Sequence, residues 1–259
     1  LGSSHAYRGF DPRIYRQFGL NTFNLGSSAQ SHLQTEVLLK RYLDTINPKL
    51  IIYEVYAGTF SSDGVESSLD IIANDNNDFE SIRMAIAQNH VKVYNTLIYG
   101  FYRDILKENK NYQEDVVKGN DTYIEGGFVE KELQYFEPTE FNETKWYIDG
   151  KQFDYFKEVL LFINERSIPF ILVQAPIAPS RYKAYSNNSE FDDKMEGYGI
   201  YYNFNELIGL DDRLHFYNSH HLNQNGVEIF NSKLIEILFD KKESANVQLC
   251  AAIGQTRCR

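Results

Sequence analysis

Cysteine is nearly absent from this chain of 259 residues. The only two, Cys250 and Cys258, fall within the last ten positions. That excludes a disulfide framework through the body, and neither thiol has the flanking ligands of a zinc site. Two readings of the pair stay open. One is a small C-terminal disulfide in an oxidising compartment; the other is two idle thiols in a disordered tail. Positive charge is also in deficit: 26 Lys and Arg stand against 36 Asp and Glu, a net charge of −10. A nucleic-acid partner needs a basic face, so that class is set aside. No apolar run approaches the roughly 18–20 residues that span a bilayer, and no signal peptide is visible. Metal-ligand spacing and a phosphate-cradling glycine loop are missing too, so neither a metal nor a cofactor is expected. Tryptophan occurs once, yet Tyr occurs 19 times and Phe 18 times. Tyr at that level suits surfaces that stack on or hydrogen-bond to sugars, and equally a Tyr-rich core and rim.

The length suits one α/β domain with an insertion. Asp11-Pro12 reads as a cap followed by Pro at the first helical position, opening a helix that ends at Gly19. Thr22–Leu25 reads as a short strand running into Gly26-Ser27-Ser28. Ala29–Ile46 has the spacing of an amphipathic helix, stopped by Asn47-Pro48. Leu50–Tyr56 is a strand whose first half lacks alternation, as expected where both sheet faces are covered. This order predicts a parallel sheet with crossover helices.

The middle is less regular. Helices are expected at Val65–Ala73 and from Phe79 to about Lys107, the latter broken near Asn89-His90. Asn109–Glu143 is polar and loop-rich and reads as an insertion or lid. Regularity returns with a helix at Gln152–Arg166 and a strand at Phe170–Gln174, followed by a rigid loop from Ala175 to Pro179. Further strands are expected at Ile200–Phe204 and Leu214–Tyr217, then a closing helix at Gln224–Phe239. The expected organisation is one domain over residues 1–242, an insertion at about 60–150, and a C-terminal tail at 243–259.

Open α/β sheets bind ligands beyond the carboxyl ends of their strands. The stretches at such places are Gly2-Ser3-Ser4-His5, Asn24-Leu25-Gly26-Ser27-Ser28, and Glu54-Val55-Tyr56. A fourth, Asn218-Ser219-His220-His221, precedes the last helix. A serine hydroxyl is a weak nucleophile and needs a base within hydrogen-bond reach. Backbone amides at a tight turn can hold the oxyanion of acyl transfer. Ser4 is the expected nucleophile, with Ser3 as a variant, and His221 the expected base, with His220 beside it.

These residues resemble the SGNH (GDSL-like) hydrolases. Gly2-Ser3-Ser4-His5 resembles the first block, with Ser3 in place of the usual Asp. Gly26 resembles the second-block glycine, and Asn218 to His221, with Leu222, Asn223 and Gly226, the D-x-x-H ending. The closer likeness is to bacterial cell-envelope members that resemble D-alanylation and alginate O-acetylation proteins. By motif order the resemblance covers most of the chain. It implies a three-layer α/β sandwich with a central, mostly parallel, flavodoxin-like sheet. It implies Ser4 and His221 as catalytic residues, Asn218 as the orienting third member, and the amides of Ser4 and Gly26 as the oxyanion hole. Ser28, Gln30, Glu54, Tyr56, Arg181 and Tyr182 would line the pocket. The implied activity is hydrolysis of an acyl ester on a carbohydrate through an acyl-enzyme. The alternatives are O-acyl transfer to an exported polysaccharide and a non-catalytic glycan-binding module. The implied location is extracytoplasmic or in the cell envelope. The strand that should lead into the nucleophile would lie upstream of Leu1, and a membrane anchor or signal is expected there too.

Two departures matter. Asn218 stands where an Asp is usual, and in a serine protease Asp→Asn costs roughly 10⁴ in turnover because the imidazole takes the wrong tautomer. A compensating carboxylate would come from Asp211, Asp212 or Glu54. An asparagine of the third block is not evident either, and Glu54 sits near its place.

Overall fold

The computed structural model describes residues 1–108, 115–148 and 150–239. Helices α1 (Ser4–Gly9) and α2 (Pro12–Gln17) open the chain. Helix α3 (His32–Ile46), strand β1 (Ile51–Glu54) and helices α4 (Val65–Asn74), α5 (Phe79–Gln88) and α6 (Val91–Leu106) follow. Next come strands β2 (Val117–Lys118), β3 (Asp121–Ile124) and β4 (Phe128–Lys131), helix α7 (Gly150–Glu165) and strand β5 (Phe170–Gln174). Helices α8 (Pro179–Lys183) and α9 (Asn188–Glu196), strand β6 (Tyr201–Asn203) and helices α10 (Phe204–Leu207), α11 (Asp212–His215) and α12 (Gln224–Phe239) complete it.

The fold is α/β. Strands β1, β5 and β6 form a parallel sheet in the order β1-β5-β6. Leu1 adds one rung at the outer edge of β1, its nitrogen donating to the Ile52 carbonyl and its carbonyl accepting from Glu54 N–H. Side chains alternate across β5. Leu172 packs with Val159 and Leu160 of α7 and Leu39 and Leu43 of α3. Ile171 and Val173 pack with Phe230 and Leu234 of α12 and Tyr15 of α2. Both faces are therefore covered, which is why Phe170–Gln174 reads as an unbroken apolar run. Each buried side chain of this size contributes about 1.5–3 kcal/mol relative to exposure. A third cluster joins α3 to α4, α5 and α6 through Leu33, Ile72, Met84 and Val93. Asn89, with φ of 48°, separates α5 from α6 at the expected break.

Three expectations are corrected. Thr22–Leu25 forms no strand. Its polar groups are used elsewhere: Asn24 N–H donates to the Gly126 carbonyl, and Asn24 Nδ2 to the Ala6 carbonyl at 2.7 Å. Leu214–Tyr217 is not a strand either. Asp211 caps the preceding turn, its carboxylate accepting from Arg213 and Leu214 N–H, so the chain coils into α11. Only Phe216 makes an isolated bridge, to Leu222. Finally, the region expected to be an irregular lid contains the antiparallel sheet β2-β3-β4. Buried Phe128 and ion pairs from Arg8 to Asp121 and from Arg13 to Glu130 fix it to the first two helices. The boundary expected at 242, and Cys250 and Cys258, lie outside the described residues. Among those residues no helix is long and apolar enough to cross a membrane.

Candidate active site

The chain meets the carboxyl end of the sheet at two loops far apart in sequence. The first is Gly2-Ser3-Ser4. Gly2 has φ of 135°, and a Cβ there would lie 2.9 Å from the Glu54 side chain and carbonyl. Only glycine satisfies both conditions. Ser3 is the N-cap of α1, its buried Oγ accepting from His5 N–H at 3.4 Å and lying 3.3 Å from His5 Nδ1. Ser3 thus shapes the turn, and Ser4 begins the helix with its hydroxyl directed to the second loop.

That second loop places His221 Nε2 2.8 Å from Ser4 Oγ. His221 Nδ1 lies 3.1 Å from Asn218 Oδ1. The same Oδ1 accepts from the backbone N–H groups of His220 and His221, at 2.9 and 2.8 Å. Backbone amides only donate, so the atom facing them must be the oxygen of the Asn218 amide. His221 Nδ1 then carries the proton and Nε2 offers its lone pair to the Ser4 hydroxyl. The turn itself removes the wrong-tautomer problem that Asn in place of Asp raises.

Electrostatics favour the neutral imidazole. Burial, followed by the nearby Arg8 and His220, lowers His221 to about 3. His5 stacks on Tyr56 at 4.0 Å and on His221 at 4.9 Å between ring centroids. Burial first, then His221 and His220, holds it well below the usual histidine range. Its buried Nε2 makes no well-formed hydrogen bond, although the His220 backbone lies against it. Tyr217 stacks on the far side of the dyad, 5.5 Å from the His221 ring and nearly parallel to it. A very small pocket beside the His5 and His221 rings is lined by these two, Arg8, Gly9, Ala175, Pro176, His220 and Leu222.

The other expected residues divide. Ser4 N–H, at the first position of α1, has no intrahelical acceptor, as at every helix start. The Gly26 amide, expected beside it, is instead taken by Asn24 Oδ1 at 2.9 Å. Gly26 still sits tightly, since a Cβ there would meet the Ser3 carbonyl at 2.9 Å. Its place beside α1 follows from close packing, and its amide is not a free donor. Tyr56 is at the site, its hydroxyl 3.1 Å from His220 Nδ1. Arg181 influences both Tyr56 and His220. Glu54 is fully buried beneath Gly2 and lines no open pocket. Burial raises it to about 8, and its carboxylate lies among the amides of Ala175, Ser3 and Tyr56 without a well-formed bond to any.

Ser28, Gln30 and Tyr182 hydrogen-bond elsewhere. Ser28 Oγ donates to Glu66, Gln30 Nε2 donates to Thr35 Oγ1, and the Tyr182 hydroxyl joins Asn203 and Glu206. None of the three carboxylates expected to compensate for Asn218 does so: Asp211 caps α11, Asp212 accepts from Ser180 N–H, and Glu54 faces Gly2.

One neighbour of the Ser4–His221 pair escaped sequence reading. Arg8 lies one helical turn after Ser4, and the i, i+4 spacing on α1 is a signal that finds it. Among the described residues no group of three or more His, Cys, Asp or Glu could hold a metal ion. Comparison with protein-family models, curated proteins and solved structures yields no match.

Proposed function

We propose that this chain is a serine-dependent acyl-ester hydrolase of the kind its motifs resemble, acting on an acylated carbohydrate of the cell envelope or another extracytoplasmic site. The observation that carries the reading is the relay Ser4 Oγ, His221 Nε2, His221 Nδ1, Asn218 Oδ1, with links of 2.8 and 3.1 Å. In this scheme Ser4 Oγ attacks the ester carbonyl while its proton passes to His221 Nε2. The imidazolium returns that proton to the leaving sugar oxygen. Water, deprotonated by the same nitrogen, then attacks the acyl-enzyme; the Ser4 Oγ–acyl bond breaks, the acid leaves, and the imidazolium returns the proton to Ser4 Oγ. The Ser4 amide is the available oxyanion donor.

A second reading, a glycan-binding module with the same fold, has its own support. Asn218 places no negative charge beside the imidazole, and a base lowered to about 3 is a weak one. Proton abstraction is most efficient when the base lies near the working pH. Turnover of p-nitrophenyl acetate by wild type and Ser4→Ala decides between the two. The hydrolase reading expects slow, saturable turnover in wild type that disappears in Ser4→Ala. Equal rates for the two proteins would leave the binding reading.

A further inference from the structure

Helix α6 carries two stripes on opposite sides. Val93, Leu97, Gly100 and Arg103 are buried against the rest of the domain, with Val93 and Leu97 packing beside Ile72 and Met84. One such face is what a surface helix needs in order to dock. The other side is bare and is apolar as well. Val91, Asn95, Ile98, Tyr102 and Ile105 are exposed along it, flanked by Tyr99 and Leu106. The apolar members of this set are 50–77% exposed. The preceding helix α5, joined to α6 through Asn89 and His90, also leaves Phe79, Ile82 and Ile86 exposed. Contiguous apolar surface on this scale marks an interaction site.

The bare stripe has a period of its own. From Val91 it advances by four, three, four and three residues, the alternation by which two helices meet along one seam. Asn95 is the one polar residue in it. A lone Asn in such a seam fixes register and pairing with an identical helix, at a cost in affinity. The flanking positions Tyr94, Tyr99, Phe101 and Leu106 carry no charge, so a like helix meets no repulsion there. About two heptads are too few for a stable coiled coil by themselves. Here burial of the opposite face already holds α6 folded, so pairing has little left to order. Over two copies the exposed side chains of α6 would bury on the order of 1,200 Å², the lower end for a stable dimer. A lipid surface fits less well. Helices that lie in a membrane carry Lys and Arg on a solvated opposite face, whereas that face of α6 is core. The chain's charge of −10 also repels an anionic leaflet.

We infer that the bare face of α6 is a two-fold interface between two copies of this chain, with the two helices parallel and Asn95 meeting Asn95. A second copy supplies the matching stripe residue for residue, and closed two-fold symmetry uses the same patch on both copies. The inference is independent of the reaction at Ser4, because α6 belongs to the cluster packed over α3 and contributes nothing to the dyad.

Sedimentation velocity of the intact chain tests this. A dimer with a dissociation constant on the order of micromolar is expected for an interface of this size. Ile98→Glu and Ile105→Glu each set like charges against one another in the seam and should weaken association about a hundredfold or more. Both side chains are exposed in the single chain, so the circular dichroism spectrum should not change. Asn95→Ile should tighten the dimer or add trimers, a gain that loss of folding does not produce. Asn95→Cys, in a chain carrying Cys250→Ser and Cys258→Ser, should form a disulfide between copies on mild oxidation, because parallel pairing brings like positions together. A chain that stays monomeric about tenfold above that constant overturns the inference. So does a dimer that both glutamate variants leave intact, or an Asn95→Ile protein that associates as wild type does. A dimer in which Asn95→Cys forms no disulfide overturns the parallel arrangement. A monomer that floats with phosphatidylethanolamine–phosphatidylglycerol vesicles, and loses that binding in Ile98→Glu, overturns the dimer and assigns the face to lipid.

Discussion

Two buried histidines in this molecule share most of their physics and differ in what they can do. His32 lies in the core between α3 and the sheet, its Nδ1 2.5 Å from the Tyr53 hydroxyl and its Nε2 3.3 Å from Thr59 Oγ1. His221 lies at the carboxyl end of the sheet between Ser4 and Asn218. Burial lowers both to about 3. A depressed pKa therefore does not single out a site in this fold. The difference lies in the partners. Both ring nitrogens of His32 are occupied by hydroxyls packed within the core, with Phe60 at 4.1 Å closing one side. His221 has one nitrogen fixed by a turn and the other facing the primary hydroxyl of Ser4, and it borders a small pocket.

The largest effect that separates the two is on activity. His221→Ala should lower acetate-ester turnover by about 10³-fold or more, while His32→Ala should leave the folded fraction active. Steady-state rates normalised to active-site titration measure this; equal losses would erase the distinction. The stability effect runs the other way. His32→Ala empties a core position and strands the Tyr53 hydroxyl, a cost of about 2–4 kcal/mol in urea unfolding. His221→Ala, at a partly buried position at the edge of the core, should cost clearly less.

Asn218→Asp sharpens the comparison further. All three donors around Oδ1 can be kept by a carboxylate, so the geometry survives. The added charge stabilises the imidazolium and raises the His221 pKa. Turnover at pH 8 should rise about tenfold or more. In wild type the imidazole stays neutral down to about 3, so the rate should show no step as pH falls through 6.5. In Asn218→Asp the rate should fall with pH through the new, higher pKa. A pH profile shared by the two proteins would mean that residue 218 does not govern the base.

A separate effect, read in stability alone, concerns Glu54 under the Gly2-Ser3-Ser4 turn. Its folded pKa of about 8 lies above the ordinary 4.5, so the folded state holds the proton more tightly. That contribution is complete below about 4.5 and is lost as pH rises through 8. Glu54→Gln should flatten the pH dependence of thermal stability across this window, and an unchanged slope there would contradict it.

Much of the fold was legible because its core elements bury unmixed apolar faces. Phe170–Gln174 and Gln224–Phe239 have the expected ends, since Ile168-Pro169 and the polar 218–223 loop punctuate them clearly. The sheet β2-β3-β4 was not legible. Its strands are two to four residues long, too short for the mixture of Asp121, Thr122, Glu130 and Lys131 with Val117, Tyr123, Ile124, Phe128 and Val129 to show a period, and distant partners on α1 and α2 hold it in place. The meeting of Ser4 with His221, 217 positions apart, followed from motif resemblance and from no local periodicity. The occupied Gly26 amide and the buried setting of Glu54 depend on side-chain packing that spacing does not encode.

The most direct measurement is to locate the adduct of a fluorophosphonate probe by peptide mass spectrometry. The dyad predicts a single modified serine, Ser4, in wild type, and no modification in Ser4→Ala or His221→Ala. An adduct elsewhere, or one that persists at Ser3 in the Ser4→Ala protein, would contradict the assignment of Ser4 as the nucleophile that His221 activates.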